Sequence, residues 1–270
     1  MIVSSTGAKP AVGQTNRVPV SDPARQIKTA AEATESAESR DGFYLRAGVN
    51  FDFSSKTRFG DKNCLSTSPA ALYGCGRGNN GTSLGTEGDF GTAAGAEIGL
   101  GYFATPKLRL ETSVAYRPHY SFEGNANFVQ TSADQPVSAD FWSMSGMVAA
   151  YMDLSAYGPF RLYMGSGAGL HYVDISNFRM TFPRTETIVP DGQNTELTVM
   201  LTAGVATSLW DAVSLDLAWR YVDWGIVETE HATGQVVWKD GRRDPLEIDL
   251  AETRAMLKGQ GFRASLRYAF

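Results

Sequence analysis

Gly42-Phe-Tyr-Leu-Arg-Ala-Gly-Val-Asn-Phe-Asp-Phe-Ser54 is the stretch whose reading decides the fold of this chain. Phe43, Leu45, Ala47, Val49, Phe51 and Phe53 share one face, and Tyr44, Arg46, Gly48, Asn50 and Asp52 share the other. A period of two with unlike faces is the signature of a β-strand. The same alternation recurs over residues 94–102, 108–117, 142–154, 160–172, 197–209, 213–221 and 262–270, which predicts eight strands in all.

The connections carry a second signal. Residues 104–107, 155–159 and 210–212 are short joints, whereas about 54–91, 118–140, 173–195 and 223–258 are long, and the two kinds alternate strictly. An antiparallel meander of this kind places every short turn at one end and every long loop at the other. Outer-membrane barrels have that asymmetry, with short periplasmic turns and long extracellular loops.

Composition narrows the classes further. The chain has 270 residues and a net charge of −5, which argues against a nucleic-acid partner. With 43% hydrophobic and 20% charged residues it is no disordered polymer. The longest apolar run, 146–152, is far short of the roughly 18 residues of a membrane helix. Mean hydropathy is only −0.21, yet a transmembrane strand needs only about 10 alternating residues and leaves that index flat.

Three features place the apolar face outward, in lipid. The first is volume: an eight-stranded interior is just wide enough for its own side chains, and the apolar face carries too many large ones. Second, the polar face mixes Gly, Ala and Ser with Arg, Glu and Asp, which suits a narrow lumen holding long charged side chains. Third, aromatics gather at strand ends. Phe43, Tyr102, Tyr157, Phe160, Trp210, Tyr268 and Phe270 mark the short-turn end; Phe51, Phe53, Tyr116, Trp142, Tyr172, Trp219, Tyr221 and Trp224 mark the long-loop end. Two aromatic rings separated by aliphatic residues are the girdles of a membrane barrel.

The chain ends in Phe270, with Tyr268 on the same face, as the final strand of outer-membrane barrels commonly does. The segment Leu215-Asp-Leu-Ala-Trp-Arg-Tyr-Val-Asp-Trp-Gly225 resembles the Arg-Tyr strand of the opacity-protein and OmpA-like barrel superfamily, and Leu162-Tyr-Met-Gly-Ser-Gly-Ala-Gly-Leu170 is similar to its Gly-rich strand. The resemblance spans about 42–270 and implies an all-β, eight-stranded, up-and-down transmembrane barrel in a Gram-negative outer membrane, in contact with outer-membrane lipid and lipopolysaccharide. Adhesins, small-solute conduits and anchors all occur in that superfamily, so activity has to be read from the site. Residues 1–41 are expected to form a flexible periplasmic arm able to meet an envelope partner. Met1 to Arg40 holds no apolar stretch of the secretory type, which implies an export signal already removed.

The inward charges are Arg46, Asp52, Glu97, Arg109, Glu111, Arg117, Asp153, Arg161, Asp216, Arg220, Arg263 and Arg267. They predict a lumen network with Arg46, Glu97, Arg109, Glu111, Arg117, Arg161, Asp216, Arg220, Arg263 and Arg267 as its members and Glu97, Arg109 and Glu111 at its centre. One reading is a plug of paired charges; the other is a selectivity path for small solutes. Cys64 and Cys75, with ten residues between them, lie in a Gly/Asn/Ser-rich loop without metal-ligating neighbours. They predict a loop-tying disulfide, with two free thiols as the alternative; such a bond constrains the unfolded chain by roughly 3 kcal/mol.

No catalytic set, cofactor or metal is expected. His119-Tyr120-Ser121, with Glu123 or Asp134 as an acid, resembles the His-x-Ser pair of barrels that deacylate lipopolysaccharide, but parity turns His119 and Ser121 inward, away from lipid. His171 is expected to be a hydrogen-bonding lumen residue. Gly165-Ser-Gly-Ala-Gly169 is not followed by a helix, so it reads as lumen-facing spacers. Lys239, Arg242 and Arg243 in the fourth long loop form a small basic group suited to lipopolysaccharide phosphates, diluted by Asp240, Asp244, Glu247 and Asp249. The expected role is structural or surface-interacting, with a narrow pore as the alternative and an acyl-chain hydrolase a distant third.

Overall fold

The computed structural model describes residues 42–129 and 134–270; the expected N-terminal arm lies outside them. Thirteen strands follow in order: β1 (Gly42–Ser54), β2 (Thr57–Asp61), β3 (Thr86–Asp89), β4 (Thr92–Phe103), β5 (Leu108–Ala126), β6 (Pro136–Tyr157), β7 (Phe160–Thr181), β8 (Thr185–Ile188), β9 (Gly192–Trp210), β10 (Val213–Glu228), β11 (Ala232–Trp238), β12 (Leu246–Leu250) and β13 (Thr253–Ala269). Eight of them, β1, β4, β5, β6, β7, β9, β10 and β13, pair antiparallel with their neighbours. The ring closes where β13 returns to β1, with Tyr44 opposite Ala269 and Ser54 opposite Gly259. Closure removes every free edge, which a sheet surrounded by lipid requires.

The alternation sorts side chains as the sequence implies. Phe43, Leu45, Leu100, Leu110, Val148, Leu201, Leu217 and Phe262 are exposed on the outer wall, while Tyr44, Arg46, Glu97, Arg109, Tyr151 and Arg263 are buried within. The tyrosines need glycine opposite them: a Cβ on Gly101 would overlap the Tyr44 ring, and one on Gly204 would overlap Tyr163. The short turns lie at one end; Gly158, with φ of 58°, makes the β6–β7 turn in the left-handed region that glycine favours.

At the long-loop end the wall does not stop where the sequence pattern suggests. β5, β6, β7, β9, β10 and β13 all continue into the stretches expected to be loop. The reason is a reversal of polarity. In the upper part of β7, Val173, Ile175 and Met180 are buried inside while Asp174 and Arg179 face out. On β6 it is Val137, Ala139 and Phe141 that point in. Above the bilayer the outer face meets water and the inner face packs on itself, so the apolar parity inverts and reads as the end of a strand.

Two further expectations are corrected here. Trp224 is not a girdle residue: its parity continues inward along β10, and it is only 4% exposed, while the ladder shifts register beside it between Asp223 and Gly225. Pro118 does not end its strand; β5 passes it through a register shift between Arg117 and Tyr120. That bulge leaves both Pro118 and His119 exposed and turns Tyr120 inward.

The remaining short strands raise the wall above the ring. β2 pairs with β13 and β3, and β3 with β5. β8 pairs with β7 and β11, and β11 with β12. Ala70 bridges to Leu250, accepting from the Ala251 N–H at 2.9 Å and donating to the Asp249 carbonyl at 2.8 Å, so the first long loop docks on the fourth. The Cys64–Cys75 disulfide is formed within this loop, with Cα atoms 4.9 Å apart. Asp61 pins the same loop by accepting the N–H groups of Leu72, Tyr73 and Gly74 at 2.8, 3.1 and 2.7 Å. Burial holds the Asp61 carboxyl above the usual carboxylate range in spite of these donors.

Candidate functional site: the charged lumen

The lumen is built in tiers. Nearest the short turns, Asp216 of β10 is ringed by Arg109 of β5, Arg267 and Arg263 of β13 at 3.6, 3.5 and 3.9 Å, and accepts the Tyr163 hydroxyl. The Arg109 guanidinium lies between the rings of Tyr151 and Tyr163, 4.6 and 4.4 Å from their centroids. Arg267 lies over Tyr44 and Phe103 at 5.4 and 5.9 Å. Arg161, partly exposed at the rim, pairs with Asp153 at 3.6 Å.

The middle tier centres on Arg46 of β1. Its Nη2 donates to Glu111 of β5 at 2.6 Å, its Nε to the same carboxylate at 3.1 Å, and it also pairs with Glu97 of β4. Glu97 further accepts from Arg220 at 2.9 Å and Arg263 at 3.4 Å. Glu111 accepts the Tyr44 and Tyr151 hydroxyls at 2.9 and 3.3 Å. In the next tier Asp52 takes Arg220 at 2.7 and 2.9 Å and Arg117 at 2.8 Å.

Among the described residues, Arg46, Arg109, Arg117, Arg220, Arg263 and Arg267 are buried against Asp52, Glu97, Glu111 and Asp216, a surplus of two positive charges. The tyrosine and phenylalanine faces over Arg109 and Arg267 supply negative quadrupole where a carboxylate is missing; a desolvated contact of this kind is worth about 2 kcal/mol.

Sequence reasoning and geometry part at identifiable places. Arg109 is not joined to Glu97 or Glu111; it belongs to the Asp216 tier. Asp52, left outside the expected membership, is the hub of the tier above the centre. The tyrosine hydroxyls on Glu111 and Asp216 were legible only as inward positions, and nothing in the alternation says which carboxylate they reach.

Above the charges the filling becomes apolar. Arg117 stacks on Trp224 at 5.2 Å, and the His171 ring lies 6.4 Å from the same indole. Tyr120, Ser143 and Phe90 help enclose a space of about 20 Å³ at this level, room for about one water. Beyond it, Phe59 meets Phe122 and Phe178 with centroids 4.9 and 5.3 Å apart, and Phe90 meets Phe122 and Phe141 at 5.2 and 5.0 Å. These are core-like edge and tilted packings.

The hydrolase pattern does not assemble. His119 is exposed on the outer wall, Ser121 hydrogen-bonds Asp140 at 3.2 Å, and Glu123 and Asp134 are exposed. The bulge at Pro118 inverts the parity that the sequence pattern assigned to His119. Among the described residues no cluster of His, Cys, Asp and Glu has metal-site geometry.

A closed antiparallel ring with an apolar belt, two aromatic girdles and a charged interior defines a transmembrane β-barrel. Residues 29–270 match the outer membrane protein β-barrel domain, and the chain belongs to that family of bacterial outer-membrane proteins. It is 30% identical over 201 residues to an uncharacterized protein of Brucella abortus (strain 2308), covering 67% of each chain. Among solved structures it is similar to Neisserial surface protein A (16% identity, 85% of this chain and 97% of that one, TM-score 0.39). It is also similar to the outer membrane protein OprG of Pseudomonas aeruginosa (11% identity, 83% and 96%, TM-score 0.41) and the outer membrane protease OmpT of Escherichia coli (9% identity, 87% and 100%, TM-score 0.43).

Proposed function

We propose that this barrel is a sealed, non-enzymatic outer-membrane protein whose role is structural or surface-interacting, exercised through the stranded wall that rises above the bilayer. The observation that carries this reading is the double closure of the lumen. A charge network occupies the periplasmic and central levels, and an aromatic core around Phe59, Phe90, Phe122 and Phe141 occupies the extracellular level. An ion crossing the barrel would have to break arginine–carboxylate pairs and then enter an apolar core, where an unpaired charge is unfavourable by several kcal/mol.

The extracellular wall supports the surface role. The Ala70–Leu250 bridge ties the first long loop to the fourth, and the disulfide and Asp61 brace the first loop internally, which gives exposed side chains a rigid scaffold on which to meet a partner. The girdles and belt support a reading in which outer-membrane lipid and lipopolysaccharide are the immediate surroundings. Lys239, Arg242 and Arg243 remain the basic group of the fourth loop, with Arg243 over the Trp238 ring at 5.5 Å.

Single-channel recording of the refolded barrel in planar bilayers tests the reading. Near-zero conductance is the expected result. Large, stable steps would reject the plug and support the narrow-pore alternative. The surplus of buried arginine would then make such a pore anion-selective.

A further inference from the structure

Charge is not balanced evenly along the lumen. In the middle tier Arg46 and Arg263 stand against two carboxylates, Glu97 and Glu111. In the tier above, Asp52 receives both Arg117 at 2.8 Å and Arg220 at 2.7 Å, two guanidiniums to one carboxylate. Arg220 also reaches Glu97, but Arg46 and Arg263 already share that group. Nearest the short turns Arg109 and Arg267 likewise outnumber Asp216. There ring faces cover the excess: Arg109 has two, at 4.6 and 4.4 Å, and Arg267 lies over Tyr44 and Phe103. Arg117 has the Trp224 indole at 5.2 Å. A buried charge short of its counter-charge is strongly unfavourable.

The space of about 20 Å³ lies against this upper tier, and Arg117, Asp52, Tyr120, Ser143 and His171 all line it. Tyr120, Ser143 and His171 are only 4, 0 and 1% exposed. The Tyr120 and Ser143 side chains are close neighbours, yet neither hydroxyl closes a hydrogen bond, and neither does either ring nitrogen of His171. Two buried hydroxyls that lie together without bonding to each other are disposed to donate to a shared third atom, since each O–H rotates to suit its acceptor. A neutral imidazole offers one N–H more. Asp52 is the carboxylate of this wall, and its oxygens already accept from Arg117 and Arg220. The wall is rich in donors, and its acceptor is occupied.

We propose that this space is a site for one small monovalent anion of the chloride class, held by the Tyr120 and Ser143 hydroxyls and a His171 N–H beside Arg117. A water there would satisfy the hydroxyls but leave the excess charge of the tier in place. Arg117 repels a cation, and a carboxylate or phosphate is too large for the volume. The aromatic core closes the site from the extracellular side, so the anion is taken up as the barrel folds and serves as a buried counter-ion. This goes beyond the sealed-barrel reading and does not depend on it, because a conducting barrel could hold the same ion at the same place.

Urea unfolding of the full chain, refolded in lipid, tests it when sodium chloride is exchanged for sodium gluconate at constant ionic strength. Gluconate is too bulky for the space. An anion that binds only the folded barrel raises the folding equilibrium constant about tenfold for each tenfold rise in chloride above its dissociation constant, so the midpoint should climb with chloride. Bromide should act as chloride does, and crystals grown in bromide should give one anomalous peak beside Tyr120 and Ser143. Tyr120→Phe with Ser143→Ala removes both hydroxyls, keeps the ring and should abolish the chloride dependence. If that double variant fails to refold, Ser143→Ala alone should move the dependence to higher chloride. Ser265→Ala removes a buried, unpartnered hydroxyl opposite Asp216 and should leave the dependence intact. Equal midpoints in chloride and gluconate would overturn the proposal and assign the space to water. A chloride dependence that survives loss of both hydroxyls would overturn it too, since the anion would then act elsewhere.

Discussion

Glu97→Gln is the sharpest probe of the lumen. Glu97 is buried and faces Arg46, Arg220 at 2.9 Å and Arg263 at 3.4 Å. The amide keeps the shape of the side chain and one acceptor oxygen, but it removes the negative charge that those three guanidiniums share, leaving Arg46 to Glu111, Arg220 to Asp52 and Arg263 to Asp216. The buried surplus of positive charge rises by one in a region with no described solvent path. Breaking a buried pair in this way costs on the order of 3–5 kcal/mol. With a urea dependence of about 3 kcal/mol per molar, the unfolding midpoint should fall by roughly 1–1.7 M. The assay is urea unfolding of the lipid-refolded barrel, followed by tryptophan emission, beside Leu100→Ala on the lipid face as a control. Leu100 is outward and exposed on the lipid face, so its truncation should shift the midpoint far less. If Glu97→Gln unfolds at the wild-type midpoint, the lumen is hydrated and the tiers described here are not what closes it.

Other outcomes follow from the same geometry. Phe122→Ala, in the centre of the aromatic tier, should destabilise by about 3–5 kcal/mol through cavity formation, seen as a lower midpoint with unchanged strand content. Cys64→Ser with Cys75→Ser should leave the barrel midpoint unchanged while proteolysis between residues 62 and 75 quickens, because the disulfide closes a loop outside the eight-stranded ring; equal proteolysis rates would show that Asp61 and the Ala70 backbone bonds hold the loop without it. Tyr163→Leu removes both the hydroxyl on Asp216 and one of the two rings covering Arg109. It should therefore destabilise by roughly 1–3 kcal/mol more than Tyr163→Phe, which keeps the ring, in the same urea assay.

The Cys pair was legible for local reasons. Two cysteines with ten residues between them in a Gly/Asn/Ser-rich segment need no tertiary information to find each other. The candidate site was legible one residue at a time. Arg46, Glu97, Glu111, Arg220 and Arg263 were all assignable to the inside by parity. Their partners were not, because pairing in a barrel crosses the lumen as well as the wall. Arg220 and Asp52 are 168 residues apart on strands that are not neighbours, and no alternation encodes which arginine reaches across to which carboxylate.

A period of two needs only the sequence, since a strand turns successive side chains to opposite faces whatever surrounds it. Eight such runs with alternating short and long joints already specify a meander, and an apolar face too bulky for the interior already points it toward lipid. Which face is apolar, however, depends on the medium outside, and that changes along a single strand. Within the bilayer Leu170 and Tyr172 of β7 face out; a few residues higher Val173, Ile175 and Met180 are buried inside and Asp174 and Arg179 face out. The bulge at Pro118 and the inward turn of Trp224 belong to that same boundary. Only the closed ring shows where lipid ends and water begins, and therefore where a strand that has reversed its polarity is still the same strand.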